Sequence, residues 1–218
     1  MSTSAIQPKR VALVVASTRT PRVGPTIAKV VLGVITDLLP GKLKRLISED
    51  SRQPITVTVV DLKDHPLPLY TADPIIPAGV VHPIGDTVYA DPATNAWSAL
   101  VRGFDAFIFI TPQYNWGYPA SLKLALDALH HEWAGKPALV LSYGNRGGGK
   151  AAGQLRQVLE GLHIRVCTRG VELAFGKGHD LGGGILGTET NDRWRAEDKK
   201  EETEEAWKEL VGLINAQV

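Results

Sequence analysis

Cysteine is almost missing from this chain: Cys167 is the only one among 218 residues. A disulfide within the chain and a cysteine-based zinc site are both excluded by that count. Net charge is almost missing too, since 24 basic and 23 acidic residues leave +1. A nucleic-acid backbone is held through an excess of Lys and Arg, so no nucleic-acid partner is expected, while a small local anion site stays compatible. No run reaches the ~18 uninterrupted apolar residues that a membrane span requires. The opening MSTSAIQPKR has no apolar segment of a secretory signal. The expectation is a cytoplasmic protein with no membrane partner. Internal repeats and low-complexity tracts are absent.

What is present fits one folded unit over residues 1–218. Hydrophobic residues make up 44% and charged residues 22% of the chain, and a core of this size buries about 70% of the unfolded surface. Four short β-branched runs stand out: VALVVA at 11–16, ITVTVVD at 55–61, AFIFIT at 106–111 and ALVLS at 138–142. Each is apolar at both alternating sets of positions, as for strands covered on both faces. Segments of helical period follow: Ile27, Val30, Val31, Val34 and Leu38 after the first run, Leu122, Ala125, Leu126 and Leu129 after the third, and Ala151, Leu155, Val158, Leu159 and Leu162 after the fourth. A fifth strand is expected within 165–174, broken near 168–170. A C-terminal helix is expected over about 193–216, with Trp207, Leu210, Val211 and Ile214 inward. Alternation of this kind predicts right-handed βαβ units on a parallel sheet. Residues 62–96 break the rhythm, holding six of the fourteen prolines, too many for one regular element. They read as an insertion over about 62–94, with a helix resuming near Asn95.

In an open α/β sheet, ligands bind beyond the carboxyl ends of the strands, which selects three loops. The first, STRTPRVGPT at 17–26, combines hydroxyls and arginines directly before a helix. Exposed N–H groups at a helix start favour an anion such as a phosphate monoester, and the same residues also serve as ordinary N-caps. The loop lacks the G-x-G-x-x-G of a dinucleotide pyrophosphate site, so a mononucleotide phosphate suits it better. The second, TPQYNWGYPAS at 111–121, offers stiff backbone, amides and three aromatics. It suits a flat heteroaromatic ring, or alternatively a core or oligomer contact. The third, SYGNRGGGK at 142–150, carries glycines that permit close backbone approach to a ligand. It nearly matches a Walker A loop through Gly144, Gly149 and Lys150, but Ala151 stands where a magnesium-binding Ser or Thr is required. No metal site is expected: His130 and His131 do not complete a zinc motif, and Cys167 reads as a packed strand residue.

Taken together, the three loops resemble the NADPH-dependent FMN reductase family of the flavodoxin superfamily, which includes quinone, azo and chromate reductases. Ser17 and Arg19 match its Ser-x-Arg loop; Thr111, Pro112, Tyr114 and Asn115 match its Thr-Pro-Glu-Tyr-Asn segment; Gly144, Arg146, Gly147 and Gly148 match its Gly-x-Arg-Gly-Gly loop. Asp61, Leu62, Leu67 and Pro68 match an Asp-Leu…Leu-Pro stretch. Gln113 replaces the family's usual Glu, and Trp116 stands where Gly or Ser is common. The resemblance implies a flavodoxin-like three-layer α/β/α fold with a five-stranded parallel sheet of order 2-1-3-4-5. It further implies FMN as cofactor, NADPH or NADH as co-substrate, and a homodimer or dimer of dimers. Ser17, Thr18, Arg19, Gly24 and Thr26 would hold the phosphate. Pro112, Gln113, Tyr114 and Asn115 would border the ring near N5. Ser142, Gly144, Asn145, Arg146 and Gly147 would hold its pyrimidine edge. The implied activity is a ping-pong reductase passing a hydride through flavin N5 to a quinone-like acceptor, with no obligatory catalytic side chain and with Asn115 and Gly144 near the reacting centre. The alternative is a flavodoxin-like electron carrier or flavin-binding module without its own NAD(P)H activity. A P-loop phosphotransferase is the weakest reading.

Overall fold

The computed structural model describes residues 7–37, 54–69, 76–177 and 183–216. Strands β1 (Lys9–Val15), β2 (Ile55–Asp61), β3 (Ala106–Pro112) and β4 (Pro137–Gly144) form a parallel sheet in the order β2-β1-β3-β4. The helices that cover it are α1 (Gly24–Asp37), α2 (Pro92–Arg102), α3 (Ala120–Asp127) and α4 (Gly149–Gly161). Alternation along β1 assigns the two faces. Val11, Leu13 and Val15 meet Ile27, Val31 and Ile35 of α1 and Trp207 and Leu210 near the C-terminus. Ala12 and Val14 share the opposite core with Trp97, Leu122, Leu126, Leu155 and Leu159. The period-2 strands and period-3.6 helices therefore interlock as three layers, the flavodoxin-like arrangement expected.

Four details refine the expectation. The break expected near 168–170 is there and divides the last strand, so among the described residues the sheet has six strands: β5 (Arg165–Val166) and β6 (Val171–Ala174) share its last position, both paired with β4. Between them the backbone N–H groups of Thr168 and Arg169 donate to the carboxylate of Glu209, at 2.6 and 3.0 Å. Donors spent on a distant side chain cannot continue the strand ladder, so the strand splits. Second, β2 pairs with β1 alone and is an edge strand; Val59 is 46% exposed rather than covered. Third, the C-terminal helix is two helices, α5 (Thr188–Ala196) and α6 (Lys199–Asn215), broken at Asp198 with φ 49°.

Fourth, α2 begins at Pro92 rather than near Asn95. Asp91 accepts from the Thr94 N–H at 2.6 Å and Pro92 pre-sets the first turn, an N-cap followed by Pro at N1. Within the proline-rich stretch, Leu62–Asp64 and Pro77–Gly79 are short 3₁₀ turns; residues 70–75 lie outside the described residues. No helix among the described residues is long and apolar enough to cross a membrane.

Candidate functional site

Strand order reverses at β1: the chain moves from β1 outward to β2, then back across to β3. That switch leaves a crevice at the carboxyl ends of β1 and β3. A cleft of about 1110 Å³ lies there, and all three loops singled out in the sequence line it, through Arg19, through Pro112, Gln113, Tyr114 and Asn115, and through Gly144, Asn145 and Arg146. Its volume exceeds the ~300–1,000 Å³ of ordinary small-molecule pockets. Thr18 is half-buried and is not among the residues that line it.

At the β1 end the backbone turns into α1 through a tight cradle. Ser17 Oγ is fully buried, without a well-formed hydrogen bond among the described residues, and the Tyr143 hydroxyl is the polar group that interacts with it. A Cβ at Gly24 would stand 2.2 Å from that oxygen and 3.0 Å from the Tyr143 hydroxyl, so only glycine lets the first turn of α1 close over Ser17. A buried hydroxyl held this weakly costs free energy unless a ligand completes its hydrogen bonding. Burial pushes the Tyr143 phenol well up from its ordinary value, which keeps it a neutral donor. Arg22 is not a free cation here. Its guanidinium forms a two-pronged pair with Asp61, at 2.8 and 2.6 Å, and also donates to the Ser17 carbonyl at 2.6 Å. It braces the loop across 39 residues of sequence. Thr26 likewise turns away from a ligand role, donating its hydroxyl to the Gly184 carbonyl at 2.6 Å. Arg19 instead lies over the Tyr114 ring, 3.9 Å from its centroid.

After β3 the chain makes a tight reversal. Tyr114 and Gly117 exchange backbone hydrogen bonds of 2.8 and 3.0 Å, and the two residues between them, Asn115 and Trp116, have φ of 46° and 71°. Both central residues left-handed is the signature of a primed turn. Gln113 performs a service that its sequence position does not announce: Oε1 accepts from the backbone N–H groups of Lys150 and Ala151, at 3.1 and 3.3 Å. It caps α4, using donors that a Walker A loop would need for phosphate.

The glycine loop after β4 is held from within. Ser142 is fully buried and donates to the Gly147 carbonyl at 2.9 Å, so it shapes the loop rather than reaching the cleft. Gly147 and Gly148 have φ of 83° and 86°. A Cβ at Gly148 would meet the Tyr143 backbone N at 2.9 Å, and one at Gly149 would meet the Glu172 carboxylate at 2.6 Å. Glu172 on β6 lines the cleft beside these glycines, as do Tyr143 and Phe175. Sequence reading missed all three. Glu172 had one signal, a lone acid inside the apolar run VELA; Tyr143 and Phe175 are themselves buried, and nothing in their local sequence marks them as lining a cleft.

Away from the cleft, no cluster of three or more His, Cys, Asp or Glu among the described residues could hold a metal ion. Cys167 is fully buried, and burial pushes its thiol up to about 12, so it is inert at neutral pH. His131 is tied to the Ala78 carbonyl at 2.9 Å, and Glu132 hydrogen-bonds Tyr89 and Ser98; neither is among the residues that line the cleft.

The profile of the NADPH-dependent FMN reductase family matches residues 9–180. An NAD(P)H-dependent FMN reductase of Saccharomyces cerevisiae is 43% identical over 160 residues, 72% of this chain and 76% of that one. One from Nectria sp. is 32% identical over 210 residues, 94% of this chain and 96% of that one. Among solved structures, the NAD(P)H:acceptor oxidoreductase FerB of Paracoccus denitrificans superposes with a TM-score of 0.61 at 19% identity, covering 94% of this chain and 97% of that one; this likeness concerns the fold. With the cleft, the three loops and the matched length in agreement, the chain belongs to the NADPH-dependent FMN reductase family of oxidoreductases.

Proposed function

We propose that the cleft holds FMN and that the protein is an NAD(P)H-dependent reductase of quinone-like acceptors, working by alternating half-reactions as a homodimer. The observation that carries this reading is the convergence of the three loops on one cleft at the carboxyl ends of β1 and β3. When bound, FMN supplies the redox chemistry, taking a hydride from the nicotinamide and delivering electrons to the acceptor.

The chain supplies binding, orientation and exclusion of water. Ser17 and the N–H groups at the start of α1, with the positive end of the helix dipole, would hold the phosphate. Arg19, which lines the cleft, would add a charge-assisted contact. Arg22 and Asp61 keep the loop in shape without spending net charge on the ligand. The backbone at Gly144, Asn145 and Arg146 would hold the polar ring edge, and Pro112, Tyr114 and Asn115, which line the same cleft, would border the ring. No side chain in the cleft is needed as an acid or base for hydride transfer, which moves no proton to the protein. Relatives named as quinone reductases, such as that of Pseudomonas putida, 30% identical over 128 residues, support the acceptor class.

The test is direct. The purified protein is expected to be yellow, or to become so with added FMN, and to bleach anaerobically with NAD(P)H. Bound FMN that NAD(P)H fails to bleach would favour an electron carrier, and a protein that FMN cannot colour removes the reading.

A further inference from the structure

We propose that Trp116 is a specificity-determining residue, its indole forming the stacking face for a neutral, flat aromatic acceptor in the cleft. This rests on the reading above, that the cleft takes FMN and a second planar molecule. Trp116 carries two costs at once. Its φ of 71° places a bulky side chain in the left-handed region, where such residues are outliers that persist only when their surroundings enforce them. The residue is also 63% exposed, whereas Trp97, Trp133, Trp194 and Trp207 are all buried.

The surroundings do enforce the conformation. The paired bonds between Tyr114 and Gly117 close the turn, and Gln154 of α4 donates Nε2 to the Trp116 carbonyl at 3.3 Å. Gly117 makes that grip possible, since a Cβ there would stand 2.9 Å from Gln154 Oε1. Asn115 suits its own left-handed position; glycine at 116 would relieve the strain and the exposure together. An aromatic face fixed by two torsions at the rim of a planar-ligand cleft accounts for keeping tryptophan there.

The two substrates differ in how they need this face. A dinucleotide brings phosphate charges, and Arg146 and Lys150 line the same cleft in no ion pair among the described residues. A neutral quinone has no such handle and depends on stacking. Loss of the indole is therefore expected to fall on the acceptor.

The experiment compares the FMN-loaded protein with Trp116→Ala and Trp116→Gly. For a neutral two-ring quinone, KM is expected to rise about threefold to tenfold. FMN affinity, anaerobic reduction by NADPH and the KM for ferricyanide, which has no ring, are expected to stay within about twofold. Independently of turnover, the same quinone is expected to quench the exposed tryptophan's fluorescence, and that component disappears in both variants. Trp116→Gly is expected to raise Tm by about 2–4 °C through release of strain. An unchanged quinone KM in variants that NADPH still reduces overturns the proposal, as does dissociation to monomers by sedimentation with quinone KM intact, which would make the indole a subunit contact. Failure of the unmodified protein to bind FMN is a different result: it removes the underlying reading, and this one with it.

Discussion

The Arg19 guanidinium lies 3.9 Å from the centroid of the Tyr114 ring, joining the loop after β1 to the loop after β3 across the mouth of the cleft. The contact parks a cation where an anionic ligand can collect it. Burial pushes the Tyr114 phenol up, against the pull of Arg19 and Arg22, so the ring under the guanidinium is neutral at physiological pH. Arg19→Ala is expected to weaken FMN binding by about tenfold to a hundredfold, the worth of one charge-assisted phosphate contact at roughly 1.5–3 kcal/mol. Tyr114→Phe, which keeps the π face, is expected to change it little. Fluorescence titration of the apoprotein with FMN checks both.

Gly24→Ala tests the cradle. The added Cβ meets Ser17 Oγ at 2.2 Å, and overpacking of this kind costs about 1–3 kcal/mol. Thermal unfolding is expected to fall by several degrees, with FMN retention lost alongside. An equally stable Gly24→Ala protein with full FMN occupancy would contradict the placement of the Ser17 hydroxyl.

Asp61→Ala tests the brace. It leaves Arg22, only 14% exposed, without its carboxylate, and stranding one partner of a largely buried pair costs a few kcal/mol, about 1–3 here because water still reaches both groups. Urea unfolding measures the loss. Conversion of both residues, Arg22→Met with Asp61→Leu, is expected to recover part of the stability but not FMN affinity, since the Ser17 carbonyl also loses its donor.

Gln113→Glu is expected to stabilise the protein by about 0.3–1 kcal/mol, because a carboxylate in place of the Oε1 amide caps the Lys150 and Ala151 N–H groups with a charge at the start of α4. Gln113→Ala is expected to cost about 1 kcal/mol through loss of the cap. Chemical denaturation of the pair gives both signs in one experiment.

Lys136 supplies a pH test. Its ammonium donates to the Val101 carbonyl at 2.9 Å, yet burial lowers its pKa from 10.5 to about 8. Between those values the unfolded chain holds the extra proton, so the lysine's contribution to stability improves as pH rises from about 8 to 10.5. The stability difference between Lys136→Met and the unmodified protein is therefore expected to be constant below about pH 7 and to move by about 1–2 kcal/mol toward the unmodified protein by pH 10.5. Taking the difference removes the opposing trend of Cys167, whose raised thiol costs stability in the same alkaline range. A pH-independent difference would contradict the depressed value.

Local pattern by itself determined the strands, the parallel three-layer fold and the loops that meet at the cleft. Apolar residues at both alternating positions of β1, β3 and β4 admit no other placement than between two helical layers, and βαβ handedness then brings all their carboxyl ends to one side. The sequence also carried Arg19, Tyr114 and the glycines to the right rim, because loop position follows from strand position. Only the tertiary structure decided what each polar group does there. Arg22 found Asp61 on the neighbouring strand, Thr26 found the Gly184 carbonyl 158 residues away, and Gln113 capped a helix 37 residues on. Glu209 divided the last strand from α6, and Gln154 helped hold Trp116 in a conformation its own backbone disfavours. Hydrogen bonds and ion pairs are short-ranged and directional, so their partners are chosen by which groups packing brings within 3 Å, a fact that no periodicity along the chain encodes.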